Sequence, residues 1–160
     1  GVTMSALNVD SAGYSIRSTN STRSLTVTGA LTLAPGIGLT LSMASTNPSW
    51  SLGSVVFGAG STLNVTGTAG LTGSNRIELS STGTISGGSI TLAGTSDGPT
   101  GLVAYTPTSG SSVQVTLNTN LTNNSATSAT MLGANFGNRL TYGGEVSGSA
   151  SLQILSLIHI

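Results

Sequence analysis

Along most of the chain, apolar residues alternate with Thr, Ser or Asn in short runs that Gly interrupts every few residues. Leu25-Thr26-Val27, Leu31-Thr32-Leu33, Leu39-Thr40-Leu41, Leu63-Asn64-Val65, Ile77-Glu78-Leu79, Ile90-Thr91-Leu92 and Val113-Gln114-Val115-Thr116-Leu117 are examples. In an extended strand residues two apart share a face, so each triad sends two aliphatic side chains one way and a polar side chain the other. No window keeps the i, i+3, i+4 spacing of an amphipathic helix, and Gly with β-branched residues is too frequent for a helix interior. The pattern predicts an all-β chain of many short strands.

Corner signals separate the triads: Pro35-Gly36, Asn47-Pro48, Gly58-Ala59-Gly60, Gly87-Gly88, Gly98-Pro99 and Gly143-Gly144. Pro pre-sets φ for a first turn position and Gly supplies positive φ. Such strands build either an antiparallel sandwich or a solenoid, and repetition decides between them. Ser24-Leu25-Thr26-Val27-Thr28-Gly29 recurs as Thr62-Leu63-Asn64-Val65-Thr66-Gly67 and more loosely as Ser89-Ile90-Thr91-Leu92-Ala93-Gly94. The spacing of the triads fits coils of roughly 20 to 27 residues. The expected fold is therefore a parallel β-helix, or β-solenoid, in which each coil buries its aliphatic row against the coils on either side. Six or seven coils at about 4.8 Å each give a rod about 30 Å long.

Composition narrows the function. Only 5% of the 160 residues are charged, and the 4 basic residues (Arg17, Arg23, Arg76, Arg139) balance the 4 acids (Asp10, Glu78, Asp97, Glu145). A soluble domain ordinarily carries roughly 25% charged residues. So few cations cannot neutralise a run of phosphates, which excludes nucleic acid as a partner. Cys is absent, so no disulfide framework and no thiolate metal site is expected. No apolar run reaches the roughly 18 residues of a membrane-spanning helix. Ser and Thr make up about a third of the chain and aromatics 4%, which suits a narrow aliphatic core inside hydroxyl-rich faces.

The last six residues, Leu155-Ser156-Leu157-Ile158-His159-Ile160, have a different texture. The hexapeptide resembles the translation of a transposase-end sequencing adapter, CTG TCT CTT ATA CAC ATC. On this reading residues 1–154 are a single solenoid segment of a longer protein, 155–160 are a non-native tail, and the single histidine, His159, is set aside from any mechanism. A solenoid cut from its parent exposes strand edges and apolar coil ends, so the piece is expected to self-associate.

Near the C-terminus, Leu140-Thr141-Tyr142-Gly143-Gly144-Glu145-Val146-Ser147-Gly148-Ser149-Ala150-Ser151-Leu152 resembles the autotransporter-associated β-strand repeat of bacterial surface and secreted proteins. That repeat reads Tyr-x-Gly-x-Ile-Ser-Gly-Ser-Gly-x-Leu, with Val146 here in place of Ile and Ala150 in place of the last Gly. The matching residues are Tyr142, Gly143, Val146, Ser147, Gly148, Ser149 and Leu152, and Gly13-Tyr14-Ser15-Ile16 is similar to the region upstream of the repeat. The resemblance implies a right-handed parallel β-helix, an extracellular or outer cell-surface location, and a stalk-like or adhesive role.

Few residues can carry chemistry. With His159 set aside, acid–base work falls to four carboxylates, no two of them in one short motif, whereas glycoside hydrolysis or a calcium cage needs carboxylates brought together. Arg76 and Glu78 share a strand face and read as an exposed ion pair. Asp10 and Asp97 read as turn formers, and Glu145 as a solvated strand edge. The many serines have no base to activate them. No catalytic residue, cofactor or metal site is expected. Trp50 is a candidate ligand contact through an exposed indole face, although a lone Trp more often fills a gap beneath a loop. The polar stretch from Asn118 to Thr130 reads as a long corner loop or an Asn ladder inside a coil, with Asn123 and Asn124 as candidate contacts. The preferred function is a structural display segment of a surface or secreted passenger, partnered by the adjoining coils of its parent and by host-surface or polysaccharide ligands. Polysaccharide binding or degradation is a second reading. An ice-binding solenoid, suggested by Thr26-Val27-Thr28, is a third, against which stands the lack of one constant spacing between such pairs.

Overall fold

The structure, a computed structural model, describes residues 1–18, 24–43, 49–67, 75–94, 100–105, 111–126, 130–134 and 137–156. The Asn47-Pro48 and Gly98-Pro99 corners, Asp97 and His159 lie outside the described residues. Fifteen strands follow one another with no helix among the described residues. They are β1 (Val2–Met4), β2 (Leu7–Val9), β3 (Ser15–Ser18), β4 (Leu25–Leu33), β5 (Gly38–Met43), β6 (Ser49–Phe57), β7 (Thr62–Gly67) and β8 (Asn75–Leu79). Then come β9 (Gly83–Gly94), β10 (Thr100–Ala104), β11 (Gln114–Asn123), β12 (Thr130–Ala134), β13 (Arg139–Tyr142), β14 (Val146–Gly148) and β15 (Leu152–Ser156).

The chain alternates between two sheets. One runs β1-β4-β6-β8-β10-β12-β15, with β2 also on β4. The other runs β13-β11-β9-β7-β5-β3, with β14 also on β11. Every recorded pairing is parallel. Parallel strands stacked by alternate visits make a β-solenoid, as the alternation and the drifting repeat predict. Seven levels in the longer sheet correspond to a stack about 29 Å high at about 4.8 Å per level.

Register divides each coil into three faces. On the first, Val2, Leu25, Trp50, Ile77 and Leu102 form one inward column, and Met4, Val27, Leu52, Leu79 and Ala104 the next. On the third, Leu39, Leu63, Ile90, Leu121 and Val146 stack beside Ile16, Leu41, Val65, Leu92 and Asn123. The middle face carries Leu7, Leu31 and Val55 in the early coils, and Ile85, Leu117 and Tyr142 in the later ones. Away from the end levels almost all of these are buried, each Leu, Ile or Val contributing roughly 1.5–3 kcal/mol. Val2 (56% exposed) and Val146 (47%) stand at the ends of their columns, where a neighbouring level is missing from one side.

Coil length varies more than the sequence predicts. Leu132 and Ile154 are 22 residues apart, but Leu102 and Leu132 are 30 apart and Ile85 and Leu117 are 32 apart. Both longer intervals contain the stretch between β10 and β11, and the columns stay in line across it. The repeated hexapeptides also divide between faces: Thr62–Gly67 lies directly against Ser89–Gly94 on the third face, whereas Leu25-Thr26-Val27 belongs to the first.

The corners change place midway. In the early coils β4 runs through the first and middle faces with a two-against-one bulge at Thr28 and Gly29, so the wider turn falls between the middle and third faces. That turn is Ala34-Pro35-Gly36-Ile37, closed by Ile37 N–H on the Ala34 carbonyl at 3.1 Å; Gly58-Ala59-Gly60-Ser61 repeats it one level on. Gly36 has φ 71°, which with Pro before it meets the requirement of a type II turn. Gly36 N–H also donates to Ala59 O at 2.8 Å, linking the two turns. In the later coils β9 and β11 run instead through the middle and third faces, with Gly87 and Gly88 opposite Thr119 at the bend.

Candidate functional site

No helix among the described residues is long and apolar enough to cross a membrane, and no group of three or more His, Asp or Glu gathers among them. Asp10 is exposed and accepts Ser11 Oγ at 3.2 Å. Glu145 is exposed, and its backbone carbonyl accepts Leu121 N–H at 2.8 Å. Glu78 departs from expectation in its exposure: its outward position on β8 is 8% exposed, so its carboxyl group is buried rather than solvated. The side chain of Arg76 lies outside the described residues.

Trp50 is corrected as a sugar-stacking contact. It sits inward on β6 between Leu25 and Ile77, 2% exposed, and its ring face is closed off by the column above and below. Its indole N–H finds no acceptor among the described residues. The alternation Trp50-Ser51-Leu52 already places the ring inward, because Trp50 and Leu52 share parity with the other triads.

The polar stretch from Asn118 is likewise not a loop at its start. Asn118 to Asn123 belong to β11, whose burial alternates through Val115, Leu117, Thr119, Leu121 and Asn123. Asn123 is wholly buried in an otherwise aliphatic column and is not open to a ligand. Its amide nitrogen donates to Ala150 O (3.2 Å) and Ser151 O (2.9 Å), and its oxygen accepts Ser125 N–H (3.2 Å). A single Asn thus ties the turn after β14 to the coil beneath. Asn124, next to it, is exposed. Thr119, also buried, donates to the Gly87 carbonyl, and Asn138 accepts Val113 N–H at 2.7 Å.

The residues that resemble a surface-protein repeat build one corner, one strand and one turn. Tyr142 ends β13 on the inward column of Ile85 and Leu117. Its hydroxyl reaches Thr119 O (2.9 Å) and Glu145 O (3.0 Å), donating to one at a time. Gly143 and Gly144 pass close against Asn118 and Thr119. Val146, Ser147 and Gly148 form β14 on Leu121, Thr122 and Asn123. Ser149 is exposed, Ala150 N–H bonds Asn123 O at 3.2 Å, and Leu152 opens β15 packed against the core. Burial raises the Tyr142 phenol above its ordinary value; a backbone hydrogen bond at Leu121 opposes this, and the Glu145 carboxylate adds to it.

The third face supplies the most regular surface. Ser15, Thr40, Asn64, Thr91, Thr122 and Ser147 stand in one outward column, although they are 25, 24, 27, 31 and 25 residues apart along the chain. Thr62, Ser89 and Asn120 flank it on one side, and Ser42, Thr66 and Ala93 on the other. Hydroxyls within these columns meet, as Thr62 with Ser89 at 3.0 Å and Thr122 with Ser147 at 3.2 Å. The uneven linear spacing that counted against aligned Thr ranks is absorbed in the corners. Thr26-Val27-Thr28 is not part of this array: it lies on the first face, and Thr28 at its bulge donates to Met4 O at 3.4 Å.

No family model, no curated protein and no solved structure matches the chain.

Proposed function

We propose that the chain is a non-catalytic display segment of a bacterial surface or secreted autotransporter-like passenger, extending a functional tip away from the cell. The observation that carries this reading is the continuous stacking of aliphatic columns on the third face beneath neutral hydroxyl-rich outward positions, with no group of three or more His, Asp or Glu among the described residues. Such a rod derives its stability from nearest-neighbour coil contacts and can be lengthened without a new core. The likeness of residues 140–152 to the surface-protein repeat agrees with it. The test places an epitope before Gly1 and a membrane-anchoring β-barrel after Ile154 in a bacterial host. The expected outcome is an antibody-accessible epitope on intact cells with the rod resistant to added protease. Retention inside the cell, or rapid cleavage within the strands, rejects the reading.

A second reading rests on the aligned third face. Between β5 and β11 its outward positions carry hydroxyls, amides, Gly38 and Ala93, with no charged or aromatic side chain. A rigid neutral array without an aromatic platform suits an ordered water lattice better than a sugar ring, so ice is the ligand it favours over polysaccharide. Thermal hysteresis that is lost in Thr91→Lys supports it; none in the unaltered chain rejects it.

A further inference from the structure

The change of corner leaves the middle face with a break. Ala30–Leu33 pair upward with Ser54–Phe57, and Gly83–Ser86 pair upward with Val115–Asn118. No ladder pair joins residues 54–57 to 83–88. On both flanks the ladder crosses the same level intact, Ser49–Leu52 on Arg76–Leu79 and Thr62–Gly67 on Ser89–Gly94. The coil is 27 residues long on either flank, so the break is not an insertion. It is the place where the wider turn moves from between the middle and third faces to between the first and middle ones.

Side-chain packing bridges the gap. The Phe57 ring lies against Gly88, where an added Cβ would fall 2.5 Å from two ring carbons and 2.7 Å from the Phe57 Cβ. Gly88 holds φ 54° and Gly87 φ 75°, left-handed values that favour glycine. Thr119, one level further, grips the Gly87 carbonyl. Beside Phe57, Val56 is half exposed. Opening this face breaks no ladder pair: it parts the Phe57–Gly88 contact and uncovers the buried Val55 and Ile85, while the Ser81 N–H bond to Gly53 O (3.1 Å) at its edge and the flanking faces act as straps.

We propose that this seam is a built-in hinge: the rod bends by opening a wedge between residues 54–57 and 83–88, pivoting on the intact ladders of the first and third faces, with Phe57 as the latch. Local opening needs little free energy where few backbone hydrogen bonds must break, and a few residues at element ends absorb such a motion. The proposal does not depend on the display reading, although a hinge would give a stalk compliance.

Hydrogen exchange read by mass spectrometry on the unaltered chain tests it. Peptides covering 54–57 and 83–88 are expected to exchange at least ten-fold faster than peptides covering 31–33 and 115–118, which lie on the same face one level away. Phe57→Ala is expected to speed exchange at the seam alone by a further several-fold. Equal protection across all four segments in the unaltered chain overturns the hinge, and so does a Phe57→Ala effect spread evenly over every level. Since the first comparison needs no substitution, a variant that fails to fold leaves the test intact.

Discussion

The coils before the seam and those after it use the same columns in different ways. From β1 to β7 the interior is aliphatic apart from Trp50 and the partly buried Phe57, and Ser61, the buried polar residue among those described there, satisfies itself within its own turn by donating to Gly58 O at 2.8 Å. From β9 onward Thr119, Asn123, Ser125 and Asn138 are buried and bond between coils, as Ser125 Oγ does in accepting Gly94 N–H at 3.1 Å. The early block is held by packing and the late block by packing plus a polar framework. The difference teaches that inward direction is conserved from coil to coil, whereas corner position and interior chemistry are free to change.

The largest expected effect probes the early block. Trp50→Ala removes the bulkiest side chain of an otherwise aliphatic core, and a cavity of that size costs about 3–5 kcal/mol. Denaturant midpoints of the variant and the parent measure it. A loss below about 1 kcal/mol would mean that the ring is not inside the column. Trp50→Phe is expected to cost much less, because it also deletes an indole N–H that has no acceptor among the described residues and whose burial is itself unfavourable.

Next come the two kinds of corner. Gly88→Ala meets both a left-handed backbone and the Phe57 ring, costs of about 1–3 kcal/mol each. Gly36→Ala has the same sign of φ, but an added Cβ there meets nothing within 4 Å, so only the backbone cost of about 1–2 kcal/mol remains. The ratio of the two losses, from parallel equilibrium unfolding curves, sharpens the contrast between an open turn and a closed bend. Equal losses would erase it.

How much of this was legible follows from range. Ile77 and Leu79, or Leu63 and Val65, could be placed inward from neighbours alone, because strand parity is a local property. Pro35-Gly36 named its own turn for the same reason. Trp50 and Asn123 were equally placed by parity, through Trp50-Ser51-Leu52 and Leu121-Thr122-Asn123, but residue type pulled the reading outward: an indole suggests a ligand platform, and consecutive amides suggest a loop. The Phe57–Gly88 contact had no local signal. It depends on register between coils, which becomes visible only when the 27-residue spacing on both flanks is known.

A smaller effect separates the interiors. Asn123→Leu restores an aliphatic residue to the column of Leu41, Val65 and Leu92, yet it strands the Ala150 and Ser151 carbonyls and Ser125 N–H. The turn after β14 has access to solvent, Ser149 and Ser151 being exposed, so the net loss is expected at about 1–2 kcal/mol. It should be accompanied by faster hydrogen exchange across 146–156 and no change before Gly67. A stabilised variant would show that the polar framework of the late block is dispensable.

The smallest effect is electrostatic and confined to high pH. Tyr142 is held above the ordinary phenol value by burial, so its neutral form is favoured in the fold. The stabilising contribution is complete below the unfolded-state pKa of about 10 and is lost as pH rises through the folded value, since the unfolded chain releases its proton first. Tyr142→Phe removes this dependence together with the bond to Thr119 or Glu145. Thermal midpoints are therefore expected to differ between the two proteins by a constant amount up to about pH 9 and to converge above it. A gap that stays constant through the alkaline range would show that the Tyr142 hydroxyl is as wet as in the unfolded chain and that the bend of the late block is fixed by Gly143 and Gly144 alone.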